Sequence, residues 1–438
     1  MHEKAGQALP GFPLRFVCSS IAALMVLLLA VEPAANAADE APKDSSLALT
    51  YHATEHYRLG TDADAATVAE YKLVLEACWP LFEAFFGGAP RLKKDAKLDV
   101  FFLTTQAGWQ TKMKEDGVGV PAGAGGYYNP GNKTVYLWKQ PTLYTTRQLL
   151  IHEAMHQFHY LACCNNVGPK DVWYIEGIVE HMSRHYWDGK KLTLGVIPFC
   201  SLEDYPRLAL EAFSHDGYDL NAMVNSARES TRPEQWALVR YLMLADEGKH
   251  AKNWAKLCKK LDGGQSAKNT FKSTIGDPNK LQPQIRKWLG TQQEPFVPVW
   301  NEWQGQGSNA VTGTSTVTSA CRTRDDADQI SATLTVPDGS WKGGLLIFES
   351  GESYTVALLN DGGGFSINQR ANSAWTVLKT GQAPAAGEGR YRLSAVREAK
   401  EVTISANDTV LARLPIAGSK LGVCLENCTL AFSSIEWK

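Results

Sequence analysis

The sequence lacks several features that would place it in a specialised class of protein. Its 44 Lys and Arg residues nearly balance its 46 Asp and Glu residues, so the formal net charge is only -2. With no basic excess and no run of Lys and Arg, the electrostatic signature of a nucleic-acid-binding protein is missing. No Cys-x-x-Cys pair occurs, which argues against a zinc ribbon and against thioredoxin-type chemistry. The chain also has no internal repeat and no low-complexity tract.

Long apolar segments are scarce too, and the one near the start is typical of an export signal. Lys4 and Arg15 precede an apolar run over residues 21–31, and Ala35 and Ala37 supply the small residues that a signal peptidase requires. No later segment reaches about eighteen apolar residues, the length needed to span a bilayer. The sequence therefore predicts a signal peptide over residues 1–37 and export to the periplasm or the extracellular space. An uncleaved N-terminal anchor is the alternative.

The rest of the chain has the composition of a globular protein with two or three domains. Apolar residues make up 44% and charged residues 21% of the sequence. Eight cysteines would remain after cleavage; export permits disulfide bonds, but the sequence does not reveal their pairing. Composition changes near residue 305, where Gln304–Ser308 interrupts a largely helical pattern and short alternating segments follow.

These short segments predict strands without intervening helices, which indicates a β-sandwich or a closed barrel. The predicted strands are Gln329–Val336, Gly344–Glu349, Tyr354–Leu359, Gly364–Asn368, Trp375–Leu378, Tyr391–Val396, Glu401–Ser405, Leu421–Leu425 and Thr429–Trp437.

The strongest chemical signal is the motif His152-Glu153-Ala154-Met155-His156. It lies in residues 145–162, where apolar residues follow helical spacing and neither Pro nor Gly interrupts. Two His residues four apart share one face of a helix, so both rings can bind one ion at about 2.0–2.1 Å. Glu153 follows the first of them, where it can act on a water bound to the metal.

A third ligand is offered by the segment that follows. Glu176 comes twenty residues after His156, beyond a turn, and Glu180 lies one helical turn later, where it can accept the free N–H of a ligating His. His181 and His185 face away from Glu176 at helical spacing, so we interpret them as surface or structural residues. His159 lies on the same helix face as His152, one turn beyond His156. We interpret it as a residue that supports the site or packs in the core.

His-Glu-x-x-His followed by Trp-x-x-Glu-Gly-x-x-Glu resembles the gluzincin metallopeptidases, in particular the aminopeptidase-N-like branch and its small secreted bacterial relatives. The resemblance implies one Zn²⁺ per chain held by His152, His156 and Glu176, with Glu153 as general base and a peptide or protein as substrate. Residues 235–242 resemble a helix of these relatives, near which a Tyr often donates to the oxyanion. Tyr241 and Arg232 are candidates for that donor. The strand at Gly125–Pro130 resembles one that lies along the substrate cleft.

The C-terminal part resembles concanavalin-A-like jelly rolls, including laminin-G-like modules, through the stretches Trp341–Leu345, Tyr391–Val396 and Leu421–Val423. This likeness implies a binding or positioning role, with a glycan as a candidate partner. Trp341, Tyr354 and Trp375 could stack on a sugar ring, although core packing is the commoner role of such residues. No paired carboxylates stand out for glycoside hydrolysis.

Together these patterns predict a multidomain protein, with an α+β zincin-like domain over residues 45–305 and an all-β jelly-roll sandwich over residues 309–438. The main interpretation is an exported zinc metallopeptidase that hydrolyses peptide bonds. A catalytically silent zincin that binds a partner is a second interpretation. A carbohydrate-binding or carbohydrate-active secreted protein, whose zincin domain is a scaffold or inactive, is a third.

Overall fold

The computed structural model describes residues 46–438 except for residues 165, 166, 202, 301 and 400. The predicted signal peptide over residues 1–37 lies outside the described residues. Within the part of the chain that the structure describes, no helix is long and apolar enough to cross a membrane. A first half of helices and short strands is followed by a second half of strands, so the predicted change from mixed to β structure is confirmed.

The first half contains a mixed five-stranded sheet. Its strands are β1 (Thr50–Ala53), β2 (Tyr57–Thr61), β3 (Leu98–Leu103), β4 (Gly126–Asn129) and β5 (Thr134–Trp138). The order across the sheet is β1-β2-β3-β5-β4, with β2, β3 and β5 parallel and the two outer pairs antiparallel. Strands β3 and β5 are buried almost throughout, as expected of central parallel strands covered on both faces. Strand β4 forms one edge of the sheet.

Helices pack around this sheet, with a small hairpin between the fourth and the fifth. The helices are α1 (Ala65–Phe86), α2 (Gln106–Glu115), α3 (Leu143–Cys163), α4 (Val172–Ser183), α5 (Tyr205–Ser214), α6 (Leu220–Val224), α7 (Arg232–Gly248), α8 (Ala251–Asp262), α9 (Ala267–Thr274) and α10 (Pro278–Leu289); the hairpin strands are β6 (His185–Trp187) and β7 (Leu192–Leu194). The helix predicted over residues 145–162 is confirmed as α3. Its first turn is capped by Thr142, whose hydroxyl accepts from the backbone N–H of Thr145 at 3.2 Å.

Helix α4 approaches α7 closely because Gly177 has no side chain. A Cβ at this position would lie 2.6 Å from the backbone oxygen of Gln235 and 2.6 Å from Cγ2 of Val239. Such contacts are too short for any larger residue. Gly177 therefore sets the distance between the two helices, and with it the position of their neighbouring side chains.

The second half is an antiparallel sheet that encloses an apolar core. Its strands are β8 (Phe296–Trp300), β9 (Glu302–Gly305), β10 (Val311–Thr323), β11 (Gln329–Thr335), β12 (Lys342–Ser350), β13 (Ser353–Asn360), β14 (Gly364–Ala371), β15 (Ala374–Gln382), β16 (Arg390–Glu398), β17 (Glu401–Ala406), β18 (Thr409–Leu414) and β19 (Lys420–Trp437). The main path is β15-β14-β13-β12-β19-β11-β16-β17-β18, and β10 pairs with β19, β8 and β9. Phe365 and Ile367 of β14 share one core with Val402 and Ile404 of β17, so opposite ends of the sheet face each other.

The predicted strands agree with this sheet, with two differences. The segments Leu421–Leu425 and Thr429–Trp437 belong to the single strand β19, which continues through the positive φ of Asn427. Strands β8, β9, β10 and β18 were not predicted.

The two halves share contacts around residues 199–200 and 294–305. Phe199 and Cys200 are buried in the apolar core of the second half, and β9 pairs with β10. Trp303 of β9 is fully buried, and its indole N–H donates to Ser319 at 2.8 Å. Glu294, also fully buried, accepts from the hydroxyl of Ser201 at 2.6 Å. The segment just before residue 305 is therefore part of the second sheet.

Candidate functional site

Helix α3 presents two imidazole rings to one point. Nε2 of His152 lies 3.2 Å from Nε2 of His156. His152 is buried and His156 is partly buried, in a helix whose other inward residues pack in the main apolar core. The four-residue spacing in the sequence produces this convergence, because residues i and i+4 lie one above the other on a helix.

Helix α4 adds a carboxylate to these rings. Oε2 of Glu176 lies 3.5 Å from Nε2 of His152 and 3.7 Å from Nε2 of His156. A point equidistant from the three donor atoms lies about 2.0 Å from each, which is the usual length of Zn–N and Zn–O bonds. The donor set of two imidazoles and one carboxylate is also one that zinc prefers. The residues present therefore fit a zinc ion.

Glu180 lies behind this triangle of donors. Its Oε1 is 3.5 Å from Nδ1 of His152, the ring nitrogen that a metal at Nε2 leaves free. Its other oxygen accepts from the hydroxyl of Tyr205 at 3.1 Å. Glu180 is thus held by one neighbour while it faces the ring that it is predicted to orient.

The guanidinium of Arg232 reaches into the same group of side chains. Its Nη1 donates to Glu176 at 2.5 Å and to Glu180 at 2.7 Å, and it lies 3.2 Å from Nε2 of His152. Burial on its own would raise the pKa of Glu176, but the charges of Arg232 and His156 outweigh it and hold that pKa well below its usual value. Arg232 therefore keeps the Glu176 carboxylate ionised, which is the form that can bind a metal once the guanidinium is displaced.

Arg232 owes its position to the start of α7. It is the first residue of the helix and follows Thr231, which forms a capping box with Glu234. The backbone N–H of Thr231 donates to Glu234 at 2.7 Å. Since Gly177 also brings α4 close to α7, the guanidinium reaches both carboxylates of α4.

Glu153 occupies a pocket between α3 and the edge strand β4. A Cβ on Gly126 would lie 2.9 Å from both Cγ and Oε1 of Glu153, so only glycine leaves room for this carboxylate. Burial raises the pKa of Glu153 to about 7; the charge of His156 lowers it and that of Glu176 raises it. Near neutral pH this carboxyl group can hold or release a proton beside the donor triangle.

Tyr241 does not belong to this group, so its assignment as an oxyanion donor is wrong. Its ring is buried between His250 and Trp288, and its hydroxyl donates to Gln284 at 3.3 Å. Tyr241 lies nine residues after Arg232, and at 100° per residue it therefore points to the opposite side of α7. The hydroxyl therefore serves packing against α10.

His181 and His185 of this region are structural. His181 and His185 are buried, which corrects the surface interpretation. Nδ1 of His181 lies 3.4 Å from Nη1 of Arg240, and Nδ1 of His185 lies 2.9 Å from the backbone oxygen of Ser183. Burial lowers the pKa of each ring to about 3, so both stay neutral.

A second group of chemically suitable side chains lies on the sheet of the second half. Tyr354, Arg370 and Trp375 are directly opposite one another on β13, β14 and β15. The rings of Tyr354 and Trp375 are 5.6 Å apart at 87°, and Cζ of Arg370 is 5.7 Å from the Trp375 ring. We call these three residues the aromatic row.

The aromatic row lies on the face turned away from the main core; it is open to solvent at Trp375, whereas Tyr354 is half-buried against Trp300 at a centroid distance of 4.6 Å. Trp375 is 46% exposed, and Val377 on the same strand is 64% exposed. Because Phe365 and Ile367 point into the core, Asn368 and Arg370 lie on the opposite face by strand alternation. Trp341, by contrast, is buried against Tyr391 and belongs to the core.

Comparisons with known proteins add a limited set of likenesses. No protein-family model and no curated protein matches this chain. Among solved structures it is similar to the carbohydrate-binding module CBM66 from Bacillus subtilis, at 17% identity over 32% of this chain and 93% of that chain, with a TM-score of 0.28. The GH43 protein BlXynB from Bacillus licheniformis matches at 13% identity over 34% of this chain and 37% of that chain, with a TM-score of 0.28. The galectin LEC-6 from Caenorhabditis elegans matches at 13% identity over 29% of this chain and 96% of that chain, with a TM-score of 0.24.

This finding overturns the interpretation as a gluzincin metallopeptidase. The similar structures named here are a carbohydrate-binding module, a GH43 protein and a galectin, and none of the three is a peptidase or a zincin. The assignment of the chain as a zinc metallopeptidase with a peptide or protein substrate is therefore wrong. Its motif resemblance covered under forty positions, too few to carry an activity for the whole chain.

Proposed function

We propose that this protein is an exported carbohydrate-binding protein that recognises sugar rings on the aromatic row. The observation that carries the proposal is the exposed ring of Trp375, which lies on an open sheet beside Arg370 and Tyr354. Trp375 and Val377 lie two residues apart on the same face of β15 and form an exposed apolar patch beside polar neighbours, which is typical of a binding surface.

The chemistry of the aromatic row suits a neutral sugar. A pyranose or furanose ring has an apolar C–H face that can stack on Trp375 and hydroxyl groups around its edge. Arg370 offers guanidinium donors to these hydroxyls, and Asn368, whose amide donates to Ser366 at 3.0 Å, offers an acceptor. The charge of Arg370 is partly balanced by Glu352, 3.9 Å away, which disfavours a strongly acidic glycan.

Native gel electrophoresis in the presence of soluble xylan, mannan or fructan tests this proposal. At least one polysaccharide should retard the full-length protein, and Trp375→Ala should weaken that retardation about tenfold, the loss expected when one stacked ring is removed. Tyr51→Ala is the matched control, because Tyr51 is also 46% exposed but lies in the first half. The proposal fails if no polysaccharide retards the protein or if both variants behave alike.

We further propose that the first half binds one zinc ion through His152, His156 and Glu176. The observation that favours this second function is the triangle of donor atoms with sides of 3.2, 3.5 and 3.7 Å. Zinc supplies Lewis acidity when bound, and it would also tie α3 to α4. Since the ligands must be unprotonated, zinc affinity should fall as the pH is lowered.

Metal analysis of the purified protein tests the zinc proposal. His156→Ala should lower the zinc content by one ion per chain, because a ligand is lost. His215→Ala should leave the content unchanged, since His215 is an exposed residue outside the donor triangle. Equal zinc content in both variants would refute the assignment.

A further inference from the structure

A second cluster of metal-ligating side chains lies where α3 and α8 end. His159 and Cys163 are four residues apart in the last turns of α3, and Asp262 is the last residue of α8. Nε2 of His159 lies 2.8 Å from Oδ1 of Asp262, and the nitrogen, sulfur and oxygen donors of the three residues all lie within 4.8 Å of one another. This cluster uses none of the donors of the first triangle.

We propose that this cluster is a second metal site that takes zinc or a similar thiophilic divalent cation. The ligands are Nε2 of His159, Sγ of Cys163 and Oδ1 of Asp262. Cys258 lies four residues before Asp262 on the same face of α8, but its thiol is not one of the three donors that lie within 4.8 Å of one another. A nitrogen, a sulfur and an oxygen form a set that suits zinc, with the fourth position of the tetrahedron open to water.

The dimensions of the cluster suit such an ion after a small movement. Tetrahedral zinc with bonds of about 2.0–2.3 Å places its ligand atoms about 3.3–3.8 Å apart. The contact between His159 and Asp262 therefore has to lengthen by less than about 1 Å. Stacking on Phe86, at a centroid distance of 4.7 Å, and the hydrogen bond from Tyr174 to Asp262, at 2.8 Å, hold these two ligands in place.

The electrostatics of the cluster also favour a cation. A helix carries about half a negative charge at its C-terminus, and here the C-terminal ends of α3 and α8 meet. Asp262 adds a full negative charge at the C-terminal end of α8, where the helix dipole makes a carboxylate unfavourable. Its only ion-pair partner among the residues that the structure describes is His159. A divalent ion would compensate all three negative contributions at once.

Cobalt titration of the full-length reduced protein distinguishes this site from the first one. A thiolate bound to Co²⁺ gives a charge-transfer absorption in the near ultraviolet, and the first donor triangle contains no sulfur. The band should appear in the wild-type protein and in the double variant His152→Ala, His156→Ala. It should disappear in Cys163→Ser, and Asp262→Asn should weaken cobalt binding at least about tenfold.

Cys164→Ser is the matched control, because Cys164 is the next residue but is not one of the three donors. This variant should keep the band, and thermal melting with chelator should show that all variants are folded. The proposal is overturned if reduced wild-type protein gives no band or if Cys163→Ser keeps it. It is also overturned if peptide mapping of the protein as isolated shows Cys163 and Cys258 joined in a disulfide.

Discussion

Replacing Arg232 with Met should make the first site bind zinc more tightly while making the metal-free protein less stable. Nη1 of Arg232 lies 2.5 Å from Oε2 of Glu176 and 3.2 Å from Nε2 of His152, two of the three atoms that would bind the metal. The guanidinium and the ion cannot occupy this space together. Zinc binding therefore has to displace the positive charge of Arg232, and Met removes that charge while keeping much of the apolar stem.

The magnitude of both effects follows from the contacts of the guanidinium. Removing one partner of a buried ion pair costs about 3–5 kcal/mol, and we expect about 2–3 kcal/mol here because water screens part of the interaction. The side chain of Arg232 is 28% exposed. Even in the dielectric of water, a divalent ion and a guanidinium about 5 Å apart repel by about 1.7 kcal/mol, which is more than tenfold in affinity.

Urea unfolding with chelator and with excess zinc measures the two effects separately. Arg232→Met should unfold at lower urea in chelator and gain more stability than the wild type when zinc is added. Arg228→Met is the matched control: Arg228 is 29% exposed and pairs with Glu234 at 2.6 Å, near the same helix start. If Arg232→Met binds zinc no tighter than Arg228→Met does, the placement of Arg232 at the metal position is refuted.

Two further predictions concern stability. Gly177→Ala should lower the free energy of unfolding by about 1–3 kcal/mol, because the added Cβ would meet the backbone oxygen of Gln235 at 2.6 Å. Chemical denaturation measures this change. A variant as stable as the wild type would contradict the close packing of α4 and α7. Burial raises the pKa of Glu294 from 4.5 to about 8, so its contribution to stability is complete below pH 4.5 and is lost as the pH rises through 8. The stability of wild type relative to Glu294→Gln should fall between these values by up to about 1.4 kcal/mol per pH unit, and a constant difference would show that Glu294 titrates normally.

The features that could be predicted from the sequence are those that depend on local spacing. The helical pattern around His152 and His156 correctly predicts α3, and alternating residues correctly predict most strands of the second half. Both patterns reflect the geometry of a single element and its buried face. Strand β19 was predicted as two separate segments, whereas the positive φ of Asn427 between them is accommodated within one long strand.

Features that depend on contacts between distant segments could not be predicted in the same way. The approach of Arg232 to two carboxylates requires the crossing of α4 and α7. Gly177 permits this crossing, but a glycine in the sequence does not reveal which helix packs against it. Tyr241 was placed wrongly because its position depends on which side of α7 faces the site, and that is set by the packing of α7 against other elements. The His-Glu-x-x-His motif predicts where donor atoms meet, but it contains no information about a substrate, and the peptidase interpretation went beyond it.

The burial of Phe199 in the second half has a consequence for the order in which this protein can fold. Phe199 stacks on Phe296 at 4.8 Å, and Trp437 covers the same pair at 5.7 and 5.3 Å. Contacts between residues so far apart in sequence form late, because the intervening chain must first be brought together. During synthesis, the loop that carries Phe199 leaves the ribosome long before Trp437 does. The apolar side chain of Phe199 therefore stays exposed to solvent until the C-terminal strand has been made. A chain that is translocated unfolded would avoid this delay inside the cell.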